Sequence, residues 1–251
     1  MAWPYANGPL HLGHVAGNCL PADIQYRYER AMGRKVLMCS GSDEHGTPIT
    51  LTAEELGITP QEVVDKYHNI NKKALSDLGC SWENNIDSRG VEFGGALYNR
   101  TTDPMHKKIV QEVFLNLLEY GYLERKSMQQ YCSLGTDGSV RFLPDRYVEG
   151  TCPVCSEDGA RGDQCDSCGA TYEAHEILNP KSKLDPDAII EVRDTEHYFF
   201  RLNDFQNSLE NHSSEKKTKW KPNVRAMTKN WLDMGLRPRA VTRDIDWGID
   251  I

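Results

Sequence analysis

The sequence predicts an α/β domain that carries a small metal-binding insertion. Three observations predict it. Strand-like and helix-like stretches alternate through the first half of the chain, the pattern of layered α/β domains. Cys152, Cys155, Cys165 and Cys168 form two C-x2-C pairs inside "CPVCSEDGARGDQCDSCGA". Residues 124–200, which surround them, break into short segments punctuated by turn residues.

The elements follow in order. After a strand-like start, Asn7, Gly8 and Pro9 form a turn, and residues 15–32 read as a helix stopped by Gly33. "KVLMCS", residues 35–40, reads as the next strand. Thr59, Pro60 and Glu62 supply a capping residue, a first-turn proline and a box-closing acid. The run behind them places Val63, Val64, Tyr67, Ile70, Ala74 and Leu78 at helical spacing and ends near Gly79. Asp103 and Pro104 open another helix, with Ile109, Val113, Phe114 and Leu117 on its apolar side and Gly121 as its end. One more helix is expected from Val224 to Gly235.

Composition narrows the function classes. No stretch of about 18 apolar residues is present to cross a bilayer, and the start lacks the basic flank and apolar run of a secretory signal, so the chain reads as cytoplasmic with no membrane partner. The net charge of -8 is unevenly spread: between Glu215 and Arg243 nine Lys or Arg face two acids. That segment is either a local contact for a nucleic-acid backbone or a solvated helix face. The paired cysteine knuckles fit four thiolates around one structural zinc ion. Two disulfides are disfavoured in a cytoplasmic chain, and a redox C-x-x-C lacks catalytic surroundings. Cys19, Cys39, Cys80 and Cys132 are read as small buried hydrophobes.

"PYANGPLHLGH", residues 4–14, joins a turn to a helix start. Backbone N–H groups at Asn7 and Gly8 can face phosphate, and Gly13 lets a nucleotide approach the backbone closely. His11 and His14, three apart, can project together and donate hydrogen bonds to phosphoryl oxygens. Pairs of this kind also arise as packed or exposed residues. A metal pair is weaker, because no carboxylate stands at ligand spacing beside them.

At this point a resemblance enters. "PYANGPLHLGH" resembles the HIGH signature of class I aminoacyl-tRNA synthetases, and "VAGNCLPADIQYRYERAMG" is similar to the methionyl members. "GSDEHGTP" at residues 41–48 resembles the methionyl family more than the isoleucyl, valyl or leucyl ones. "FLPDRYVEGTCPVC", the second knuckle and "GATYEAHEILNPKS" resemble that family's zinc-bearing connective insertion, and "TEHYFFRL" with "TRDIDWG" its exit from the insertion. The likeness runs over essentially the whole chain.

The resemblance implies a doubly wound, Rossmann-like parallel sheet with nucleotide bound at the carboxyl ends of its strands. It divides the chain into 1–123, the first half of a nucleotide-binding catalytic domain, 124–236, the connective insertion, and 237–251, the start of the return. It implies activation of methionine with ATP to methionyl adenylate, then transfer to tRNA(Met), with magnesium accompanying ATP. It puts Asn7, Gly8, His11, Gly13 and His14 on ATP, with His11 and His14 catalytic. Trp3, Tyr5, Asp43 and Arg243 fall on methionine, Asp43 holding the ammonium group. Trp3 and Tyr5 remain readable as plain core aromatics, and His45, though inside a matching block, has no settled role. His68, His106, His175, His197 and His212 receive none.

Two departures are expected to matter. Only Met1, Ala2 and Trp3 precede Pro4, so the innermost strand should be absent or a stub. No K-M-S-K-S string occurs, and no counterpart of the family's anticodon-binding domain, so the chain reads as a fragment without charging activity of its own. The alternatives are another class I synthetase, or a non-catalytic zinc-ribbon module that holds nucleic acid.

Overall fold

The computed structural model describes residues 1–251 apart from 83, 87–91, 135–138, 163, 173, 186 and 217–218. The chain divides into two compact units, Met1–Gln111 with Ile245–Ile251, and Glu112–Asp244.

In the first unit the loop after Ala6 leads into α1 (Leu12–His14), a π-helical turn (Val15–Cys19) and α2 (Leu20–Ala31). The helix therefore begins three residues before the expected start, because His11 itself caps it. Gly33 stops it with φ of 72°. The strand expected at 35–40 lies further on: β1 is Cys39–Ser42. Val36 and Leu37 are exposed, and pairing begins only where β4 (Leu97–Arg100) comes alongside, in parallel register from Cys39 opposite Leu97 to Ser42 opposite Arg100. At Gly41 this strand has no room for a side chain. A Cβ on Gly41 would lie 2.1 Å from the Asn99 carbonyl oxygen and 2.7 Å from the Trp3 ring. Cys39, at its open end, is exposed, unlike the buried Cys19 and Cys80.

The chain start runs along β1 as well. The Met1 amine donates to Cys39 O, the Asp43 N–H to Pro4 O and the Ala6 N–H to Asp43 O, and Tyr5 and Asp43 form a parallel bridge. Among the described residues, parallel pairing consists of β1 with β4 and single bridges at Tyr5–Asp43 and Trp82–Ala96.

Two helices then follow β1. α3 (Thr47–Leu56) was not expected, although Pro48 in its first turn and the left-handed Gly57 at its end are ordinary helix signals. α4 (Pro60–Asp77) has the expected reciprocal cap, Thr59 accepting from the Glu62 N–H and Glu62 from the Thr59 N–H. Its Val63 and Val64 pack with Ile49 and Ala53 of α3 and with Ala6, while Leu75 joins Cys19, Tyr26, Met38, Trp82 and Tyr98. A short hairpin, β2 (Asn84–Ile86) with β3 (Glu92–Gly94), precedes β4. Asp103 opens α5 (Pro104–Glu119), accepting from the Met105 N–H at 2.8 Å.

The second unit is antiparallel. One sheet has the order β11–β10–β5–β6, from β5 (Leu123–Leu134), β6 (Val140–Phe142), β10 (Ile189–Phe200) and β11 (Arg239–Ala240). β5 and β10 pair without a break from Leu123 opposite Phe200 to Leu134 opposite Ile189. Between them the chain forms a three-stranded sheet in which β7 (Val148–Thr151) lies between β8 (Asp158–Arg161) and β9 (Leu178–Ser182). α6 (Gln206–Lys216) and α7 (Pro222–Asp233) follow β10. α7 matches the expected helix with its ends two residues earlier, since Pro222 takes the first turn and Gly235, at φ of 77°, terminates it.

Candidate functional site

His11 and His14 are held by one another. His11 is the N-cap of α1 and His14 its third residue; each imidazole Nδ1 accepts the other residue's backbone N–H, at 3.3 and 3.4 Å. The rings stack, centroids 3.7 Å apart and 24° from parallel. Because both Nδ1 atoms are acceptors, the proton of each neutral imidazole sits on Nε2. Nε2 lies across the ring from the cap, so the pair presents two N–H donors at a helix N-terminus. Desolvation, and then the neighbouring His11, lower the His14 pKa from its ordinary 6.5, which favours this neutral form. Gly13 has a local reason to be glycine: a Cβ there would stand 2.9 Å from the His11 ring.

The loop before the histidines is pinned from α4. Asn71, buried, accepts the Leu10 N–H at 2.9 Å and donates to Gly8 O at 3.2 Å. Sequence reasoning missed it, though an asparagine on the apolar stripe of α4 is a signal of a buried polar contact. Nothing lies within 4 Å of where a Gly8 side chain would begin.

Asp43 follows β1 directly, and its backbone bonds to Pro4 and Ala6 put Tyr5 beside it. Burial raises its pKa, opposed by the His45 N–H; Glu44 adds to the rise and His106 opposes it. Trp3 lies against Gly41 and lines an open cleft of about 400 Å³ with His68, Tyr98, Arg100 and His106. Sequence reasoning also missed Glu44. Fully buried, it takes the Arg100 Nε at 2.8 and 3.0 Å and the Thr102 hydroxyl, with His68 Nδ1 at 3.6 Å. Its own N–H donates to the Thr101 hydroxyl, and its carbonyl accepts the Trp247 indole N–H at 2.6 Å. The residues either side, Asp43 and His45, thus stand on a fixed backbone. Desolvation, with Lys107 and His106, lowers the His45 pKa to about 4, so its ring is neutral.

Arg243 is in the second unit, where it is exposed and its Nη1 donates to Ala240 O and Thr242 O, both at 2.9 Å. The remaining site residues named from the sequence, apart from the cysteines, lie in the first unit.

The four cysteines of the second unit converge. Their Sγ atoms all lie within 4.8 Å of one another, with Cys152 to Cys168 at 3.9 Å and Cys155 to Cys165 at 3.7 Å. All are free thiols, so the disulfide reading fails. A tetrahedral ion with bonds of about 2.3 Å to sulfur needs thiolates roughly 3.8 Å apart, and these distances fit it. Each pair closes a tight turn: the Ser156 N–H reaches Cys152 O and the Gly169 N–H reaches Cys165 O. Desolvation pushes the Cys152 thiol up, but the N–H groups of Cys155 and Val154 outweigh it and bring it down to about 7. With four protein ligands, the cluster has no open position for chemistry.

Three comparisons bear on this arrangement. The family profile described as tRNA synthetases class I (M) matches residues 1–251. A methionine-tRNA ligase of Pelodictyon phaeoclathratiforme is 46% identical over 250 residues, covering 100% of this chain and 33% of the relative. One of a Roseiflexus species is 45% identical over 252 residues, covering 100% and 40%. The chain therefore spans between a third and two fifths of these curated relatives. Among solved structures, Mycobacterium tuberculosis methionyl-tRNA synthetase bound by methionyl-adenylate is similar in fold. The TM-score is 0.68 at 19% identity, over 100% of this chain and 42% of that one.

Proposed function

The chain belongs to the class I (M) tRNA synthetases, and from that premise we propose that it is part of a methionine-tRNA ligase and carries its phosphate-handling histidines. The observation that carries the reading is the reciprocal cap of His11 and His14. In the proposed reaction a methionine carboxylate oxygen bonds to the α-phosphorus of ATP as the bond from that phosphorus to the bridging oxygen of pyrophosphate breaks. Negative charge moves onto the phosphoryl and leaving oxygens. The two Nε2–H groups, fixed in advance, donate where that charge grows; one such donor is worth on the order of 3 kcal/mol.

Asp43 takes the substrate ammonium group in this reading, the Tyr5 and Trp3 rings line the thioether side chain, and Asn7, Gly8 and Gly13 offer backbone to ATP. Arg243 contacts the bound substrate. Methionyl adenylate then passes its methionyl group to the terminal ribose of tRNA(Met). Magnesium bound with ATP neutralises phosphate charge. Zinc on Cys152, Cys155, Cys165 and Cys168 holds the knuckles, and parts 1–123, 124–236 and 237–251 correspond to the first half of a doubly wound catalytic domain, its insertion and its resumption. The setting is the cytoplasm.

The test is methionine-dependent pyrophosphate exchange by this chain joined to the remaining sequence of the Roseiflexus relative. Asp43→Asn is expected to raise the KM for methionine, and His14→Ala chiefly to lower kcat. Unaltered methionine affinity in the first variant, or an unaltered rate in the second, would overturn these roles.

A further inference from the structure

His197 has no part in the reaction described above, yet it is buried and both of its ring nitrogens are engaged. Nδ1 lies 3.0 Å from the Thr242 hydroxyl and Nε2 3.2 Å from Asp244 Oδ2. Both partners are held a second time from β10: the Tyr198 N–H donates to Thr242 Oγ1 at 3.0 Å, and the Thr195 hydroxyl donates to Asp244 Oδ2 at 2.8 Å. A neutral imidazole satisfies every member in the following way. Thr242 accepts from Tyr198 and donates its own hydroxyl proton to Nδ1, while Nε2–H donates to the Asp244 carboxylate. His197 is thus the bridge between two residues that flank a single one, Arg243.

We infer that His197 is a positioning residue for Arg243. The inference rests on the reading of Arg243 as a substrate contact. Arg243 lies three residues beyond β11 (Arg239–Ala240), and its Nη1 donates to the Ala240 and Thr242 carbonyls. The imidazole adds to these bonds by tying the residue before Arg243 to the residue after it. The chain leaves the second unit at Asp244, so the clamp also fixes the last residue before the return to the first unit, where Trp247 is tied to Glu44. His197 touches no substrate in this scheme. It acts through the direction in which Arg243 leaves the backbone.

Two measurements test it. In this chain, imidazole ¹⁵N shifts should report the Nε2–H form of His197. His197→Ala should speed hydrogen exchange of the Tyr198 and Val241 amides about tenfold, with metal content unchanged. His197→Gln, whose amide offers both an N–H donor and a carbonyl acceptor but not at the imidazole's positions, should fall between. Equal amide protection in all three proteins overturns the clamp, as does loss of protection throughout β5 and β10, which would make His197 a general core residue. In the chain extended as above, His197→Ala should raise KM for substrate about tenfold while adding nothing in an Arg243→Ala background. Additive effects of the two substitutions overturn action through Arg243. If Arg243→Ala alone leaves exchange unchanged, the substrate role of Arg243 falls, while the amide measurement still decides the clamp.

Discussion

The histidine loop of the first unit and the cysteine knuckles of the second are both turns that present chemistry-bearing side chains, but they are held in opposite ways. The knuckles are self-contained. Their four sulfurs come from within residues 152–168, and the N–H groups that reach Cys152 Sγ belong to Val154 and Cys155. The histidine loop borrows its support. Its backbone is pinned by Asn71, sixty-one residues on from Leu10, and its approach by Asp43, which itself leans on Glu44 and Arg100. The histidine loop is held by hydrogen bonds to residues distant in the chain, whereas the knuckles close on contacts within residues 152–168.

That contrast can be broken most severely at the cysteines. Cys152→Ser or Cys168→Ser should reduce zinc from about one ion per chain to almost none, because structural zinc contributes roughly 10 kcal/mol or more to such a fold. Metal analysis reads it, and the His11 and His14 imidazole resonances should stay where they are; unchanged zinc would sink the assignment. Asn71→Ala comes next. It strands a part-buried N–H at Leu10 and a carbonyl at Gly8, at about 1 to 2 kcal/mol in urea unfolding. Movement of the zinc-site resonances in that variant would contradict the separateness of the two supports.

Gly13→Ala should cost less, about 1 kcal/mol, because alanine's helix preference offsets part of the clash with the His11 ring. Its signature is loss of the stacked-ring shifts of His11 and His14; retained stacking would show that the ring can yield. The smallest effect is that of pH. His14 has a pKa lowered from 6.5, so the cap's contribution is complete above that value and is lost as pH falls through the lower folded value. The loss should be about 0.5 kcal/mol, typical of a weak cap. Titration of the His14 imidazole by NMR checks it, and a midpoint above 6.5 would reverse the sign.

How much could be read in advance follows the same division. The knuckles were legible because spacing alone sets which sulfurs meet. The α4 cap was legible because Thr59 and Glu62 are three apart, and the stops at Gly33, Gly79, Gly121 and Gly235 because each sits at positive φ. β1 was displaced because "CSGS" has none of the branched or aromatic residues that announce a strand. What selects it is the tight approach of the Asn99 backbone and the Trp3 ring, which no local pattern reports. Glu44 and His197 were missed for a related reason. Each is a polar residue that looks solvated until partners some 45 to 60 residues away are in place. His11 and His14 lay between the cases: their pairing was readable, but the stacking that fixes their protons was not.

The long ladder of β5 and β10 has a consequence for the order in which the second unit is made. Its first pair to close around the insertion, Leu134 with Ile189, encloses residues 135–188. Within that interval β7 meets β9 between Val148 and Ser182, and the cysteines draw together inside that again. The closures are nested, each enclosing a shorter one, and each halving of the free loop saves roughly 0.6 kcal/mol of closure entropy. A metal ion on the cysteines, as proposed, would shorten the effective loop that the outer ladder has to close. Without it, the same ladder must find its register across the full interval 135–188.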